Sequence, residues 1–169
     1  MRTIHWPKLI ALVGGLTLAV SAHAQVEFRL AFMIEQWMTV PAAFPNDASY
    51  KFISTEPLVG PADFRKARAF LDGKMAVVEI QLSERAAQRI SELGAANMKN
   101  QQQGSFEKHI GLGVVIDGSV KQVIQGVFEP LQKNTLWWRP SDDRVPAATQ
   151  LKEARKIAEK LNSGSKNPQ

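Results

Sequence analysis

Ile110-Gly111-Leu112-Gly113-Val114-Val115-Ile116-Asp117-Gly118-Ser119-Val120-Lys121-Gln122-Val123-Ile124 decides the fold class. Two apolar, β-branched runs flank one Asp-Gly pair. That pair supplies the positive φ angles that a tight two-residue turn demands, so the stretch reads as an antiparallel hairpin. Upstream, Lys74 to Leu82 alternates strictly, with Met75, Val77, Glu79 and Gln81 on one face and Ala76, Val78, Ile80 and Leu82 on the other. Period two over that length is a strand. Ser83 then caps a helix whose Ala86, Ile90, Leu93 and Asn97 recur at helical spacing, and the polar run from Lys99 to Gly104 ends it.

Further toward the N-terminus, Gly60-Pro61 opens a predicted helix with Phe64, Ala67, Phe70 and Leu71 on one face, stopped by Asp72-Gly73. Val26, Phe28, Leu30 and Phe32 alternate with Glu27, Arg29 and Ala31, so a strand is expected there. Ile34 to Ser49 has no clean period and reads as a loop with a short helical turn around Trp37; Tyr50 to Ser54 is a short strand. Downstream, Thr135 to Trp138 is a short strand. Pro146 opens a last helix carrying Leu151, Ala154, Ala158 and Leu161, with Lys152, Arg155, Lys156 and Lys160 on its solvated face. Hairpins mixed with helices give an α+β domain, a mixed or antiparallel sheet with helices packed on one face.

The first 24 residues read as an address. Arg2 and Lys8 precede an apolar run from Leu9 to Val20, and Ala22-His23-Ala24 offers the small residues that a signal peptidase accepts. As a helix the run reaches roughly 18 Å, short of a ~30 Å hydrocarbon core. The expected layout is a cleavable signal peptide at 1–24, a domain at 25–164 and a disordered tail at 165–169. It places the product in the periplasm with no stable membrane anchor.

Composition narrows the chemistry. The 169 residues contain no cysteine, and 21 basic against 16 acidic side chains give +5. Losing Arg2 and Lys8 lowers that to +3, which is no nucleic-acid footprint. Without cysteine there is no disulfide, Cys-ligated zinc or thiol nucleophile. Beyond residue 24 the sole histidine is His109, which reads as a surface or strand-edge residue. Gly111-Leu112-Gly113 lacks the third glycine and following helix of a phosphate loop. Asp142-Asp143 precedes a helix and reads as capping. No catalytic set, metal site or cofactor site emerges, and the expectation is a non-enzyme.

Apolar recognition is the stronger lead. Trp137 and Trp138 are adjacent, so on a strand their rings point to opposite faces, one into the core. Trp37 and Met33, with Met38 close by, add aromatic and flexible apolar surface suited to varied polypeptides. Trp137, Trp138, Trp37 and Met33 are therefore the candidate polypeptide-binding residues. The alternative is that all four are core.

Five segments taken in order resemble the SecD/SecDF protein-export family. Val26-Glu27-Phe28-Arg29-Leu30 resembles the strand that begins its first large periplasmic region (P1). Leu58-Val59-Gly60 with Asp63-Phe64-Arg65-Lys66-Ala67 resembles the family's L-T-G-x-D-[LV]-x-x-A segment. Val78 to Ser83 with Ala86-Ala87, the Leu112 to Val120 hairpin and the Glu153 to Gly164 helix are similar to three later family segments. Departures fall at Lys121-Gln122-Val123-Ile124 and around Leu136-Trp137-Trp138. The resemblance implies a head-like, protein-binding module without the membrane helices, engaging unfolded polypeptide or a translocon component. The alternative is a periplasmic inhibitor or regulator, immunity-like, that binds one specific partner protein.

Overall fold

The computed structural model describes residues 25–105, 108–125 and 131–164. The expected signal peptide and tail lie outside the described residues. The elements run β1 (Val26–Phe32), β2 (Thr39–Pro41), β3 (Phe52–Val59), β4 (Phe64–Asp72), β5 (Met75–Leu82), α1 (Glu84–Gln102), β6 (Ile110–Ile116), β7 (Ser119–Ile124), β8 (Thr135–Trp138) and α2 (Ala147–Gly164). They form two antiparallel sheets, one ordered β2-β3-β1-β6-β7 and one ordered β4-β5-β8, with the two helices: an α+β fold.

The hairpin forms as its sequence predicts. Asp117 and Gly118 take φ of 52° and 75°, and β6 pairs with β7. One expectation is overturned. Residues 64–72 are strand β4, and Pro61 opens only a single 3-10 turn. Phe64 and Ala67, both buried, satisfy helical spacing, but the same stretch also alternates: Lys66, Arg68, Phe70 against Ala67, Ala69, Leu71. Pairing with β5 decides between the two periods, since Arg68 meets Glu79 and Phe70 meets Val77 across the ladder. Asp72-Gly73 is therefore a hairpin turn, with Gly73 at φ 60°. Smaller differences follow local chemistry. α1 continues through the polar run to Gln102, good helix formers, and the chain reverses at Gly104, φ 69°. The 34–49 loop contains the three-residue strand β2, preceded by a turn at Trp37–Met38.

The main core joins one face of the five-stranded sheet to the inner face of the three-stranded sheet and to both helices. Phe28 is fully buried at its centre, edge-on to Phe64 (5.7 Å) and Trp138 (6.4 Å). Ser83 caps α1 through the Ala86 N–H, as its sequence predicts, and its hydroxyl also donates to Asp63. A second cluster lies on the opposite face of the large sheet, where Phe44 and Tyr50 of the 42–51 connection cover Ala31, Ile53, Val115 and Val123. Gly111 and Gly113 make room for it. A Cβ at Gly111 would sit 2.3 Å from Val123 Cγ2, and one at Gly113 3.2 Å from Phe44 Cε1. The glycine pair is thus a packing device.

Where the ladders end, side-chain amides take over. Asn46 bonds both the N–H and the carbonyl of Val123, Asn97 both groups of Ile110, and Asn162 both groups of Ala67.

Candidate functional site: the edge of the small sheet

Parity along β8 sorts the tryptophans. Trp138 lies opposite Val78 and turns inward, 3% exposed. Trp137 lies opposite Glu79 on the outer face, 57% exposed. That outer face has no helix on it among the described residues, and its composition follows from alternation in β4 and β5. Phe70 stands edge-on to Trp137 at 5.8 Å, beside the buried Val77. The Arg68 guanidinium lies 5.4 Å from the Phe70 ring centre and grips Glu79 through two bonds of 2.7 and 2.9 Å. Arg139 pairs with Asp72 at 3.1 Å. The hydrogen bond from Arg68 holds the Glu79 carboxyl below its ordinary value, and the same bond raises Arg68. The result is an aromatic pair bracketed by two ion pairs.

β8 pairs only with β5, so its other edge carries no partner strand among the described residues. Beside it opens a cleft of about 450 Å³, which separates β8 from the last strand of the large sheet, β7. Val123, Gln122 and Asn46 form one wall, and Trp137, Trp138 and Arg139 the other. Gln122 Nε2 bridges the walls, donating to the Arg139 carbonyl at 3.0 Å. The two edges are unequal. Val123 already spends its backbone groups on Asn46, whereas β8 is unsealed among the described residues. An open edge accepts an extended chain through main-chain hydrogen bonds, which are indifferent to side-chain identity.

The other candidate residues lie elsewhere. Trp37 is 91% exposed at the turn leading into β2, the edge of the large sheet opposite β7. Met33 is half-buried and packs on the second core. The four candidates therefore do not converge: Trp137 and Trp138 share the cleft, and Trp37 and Met33 do not line it. Phe70, Arg68, Gln122 and Asn46 belong to this surface, and none of them stands out in the sequence as a binding residue. Phe70 and Arg68 were hidden by the helical reading of 61–71, although their alternation was the available signal. His109 is half-buried just before β6, beside Phe32, Ile34 and Gln36. Asp142 takes the Arg144 N–H in a turn ahead of α2, a bond that lowers its carboxyl. Among the described residues no group of three His, Asp or Glu could hold a metal ion, and no helix is long and apolar enough to cross a membrane.

No protein-family model matches the chain, and no curated protein matches it. Solved structures do. A crystal structure of SecDF in a super-membrane-facing form superposes with a TM-score of 0.55 over 85% of this chain, at 20% identity. The fold is SecDF-like. A second SecDF structure, described as a membrane component that enhances protein export, gives a TM-score of 0.52 over 85% of the chain, again at 20% identity. The chain spans 19% and 64% of those two SecDF chains. The likeness to SecDF establishes the fold and agrees with the resemblance carried by the five sequence segments.

Proposed function

We propose that this chain is a non-enzymatic, periplasmic polypeptide-binding module related to protein export. One observation carries the reading. Trp137 stands exposed on a strand whose outer edge has no partner strand among the described residues, with Phe70 beside it and a cleft alongside. A non-native segment would lie along β8 as an added strand. Its backbone would bond to the edge, and its larger apolar side chains would rest on Trp137 and Phe70. Arg68 and Arg139, each held by a carboxylate, keep the rim polar and limit the patch to a small aromatic centre. The SecDF-like fold supports an export-related role, since one SecDF is described as enhancing protein export.

The test is titration of residues 25–169 with an unfolded, reduced polypeptide, followed by tryptophan emission and by calorimetry. Binding in the micromolar range is expected, with Trp137→Ala weakening it about tenfold, equivalent to ~1.4 kcal/mol. No binding at ~100 µM, or binding indifferent to Trp137→Ala, removes the basis for the reading.

A further inference from the structure

A second groove, of about 340 Å³, lies between α2, the β6–β7 hairpin and the residues after β8. Its floor is apolar, made by Ile116, Trp138, Pro140 and Ile157. Its rim is basic, made by Lys121, Lys156 and Lys160, with Glu153 as its one acid. The charges are unevenly used. Lys160 is committed to Asp117, with Nζ 2.5 Å from Oδ2. That bond comes first among the influences that hold the Asp117 carboxyl below its ordinary value, and Lys121 adds a smaller one. Glu153 accepts from the Ser141 hydroxyl at 2.8 Å. Among the described residues neither Lys156 nor Lys121 forms an ion pair within 4 Å. Two exposed ammonium groups, of Lys121 and Lys156, therefore overlook a hydrophobic trough, with Glu153 as the acid on the same rim.

From this juxtaposition we infer that the groove binds an aromatic monocarboxylate. The volume is at the small end of ligand sites and suits one ring with a short polar extension. Trp138 and Pro140 both line the groove, and a flat ring packs on such side chains with less loss of rotamer freedom than a flexible chain. The rim favours one negative charge. Lysine is a point charge without the planar fork that selects phosphate, no arginine lines the groove among the described residues, and Glu153 repels a second negative charge.

The probe is N-acetylphenylalanine, compared with its uncharged amide and with octanoate, by calorimetry and by chemical-shift changes at the tryptophan indole N–H groups. The acid is expected to bind at least tenfold more tightly than the amide and more tightly than octanoate, and to weaken as salt is raised. The double variant Lys121→Gln/Lys156→Gln should lose about tenfold in affinity while keeping its circular dichroism, and Lys99→Gln on α1 should lose nothing. Both lysines are exposed, so folding is not at stake. Equal binding of acid and amide, stronger binding of octanoate, or indifference to the double substitution overturns the assignment. Trp137→Ala leaves this groove intact, so the result is independent of the polypeptide reading.

Discussion

Asn46 does to Val123 what a neighbouring strand would do. Its Nδ2 donates to the Val123 carbonyl and its Oδ1 accepts the Val123 N–H, both at 2.8 Å. The carboxamide thus stands in for one residue of a β-partner at the edge of the large sheet. It seals that edge against pairing while β8, across the cleft, remains unsealed among the described residues.

Asn46→Ala should therefore have two effects. Urea unfolding should show a loss of about 1–3 kcal/mol, because both backbone groups of a buried residue lose their partner. Sedimentation should show concentration-dependent self-association absent from the parent, as β7 becomes available for pairing. An unchanged midpoint with unchanged sedimentation contradicts the sealing role.

Gly111→Ala should destabilise by about 1–3 kcal/mol, since its methyl would meet Val123 Cγ2 at 2.3 Å and Tyr50 Cε1 at 2.8 Å in a packed cluster. Gly60→Ala makes the internal comparison. Nothing lies within 4 Å of a Cβ there, and the change should stay within about 0.5 kcal/mol. The contrast is read from paired denaturation curves.

Acid should weaken the fold through depressed carboxyls. Glu79 is held down by its hydrogen bond from Arg68, and Asp117 by that from Lys160. A folded value below the unfolded one means that the stabilisation is present in full above the ordinary carboxylate range. It is lost as pH falls through the folded value. Stability should hold from pH 7 to about 5 and decline below about 4. Arg68→Gln and Lys160→Gln should each flatten that decline, which denaturant titrations at stepped pH would register.

Gln150 is a buried polar residue on the apolar face of α2. Its Oε1 accepts the Ala76 N–H at 3.0 Å, and its Nε2 donates to the Val145 carbonyl at 2.6 Å. Gln150→Leu keeps the volume but strands one donor and one acceptor, and should cost about 2–4 kcal/mol. Gln150→Glu, which retains the acceptor toward Ala76, should add a pH dependence to that of the parent, whereas the leucine variant should keep the parent's. Thermal unfolding at two pH values separates them.

Much of this fold was legible because alternation is a strong local signal. β1 and β5 show it, and β6 and β7 read instead as apolar runs flanking an Asp117-Gly118 turn that its backbone requirement alone assigns. β4 is ambiguous in sequence because Phe64, Ala67, Phe70 and Leu71 also fit a helix. What excludes the helix is cross-strand pairing with Glu79 and Val77, and that exists only once the hairpin closes. The division into two sheets was invisible for the same reason, since it depends on which edges stay unpaired. At the cleft, parity placed Trp137 and Trp138 on opposite faces, but nothing local announces that Phe70 lies beside one of them.

Three seams of this molecule rest on asparagine amides facing backbone, at Val123, Ile110 and Ala67. An amide both gives and receives, and a carboxylate only receives. Slow hydrolysis at any of these positions would set a negative oxygen against a carbonyl oxygen and unpick the seam without breaking the chain. Storage history would then become a variable in any measurement, since a preparation in which such hydrolysis had occurred would be a mixture of differently stitched molecules.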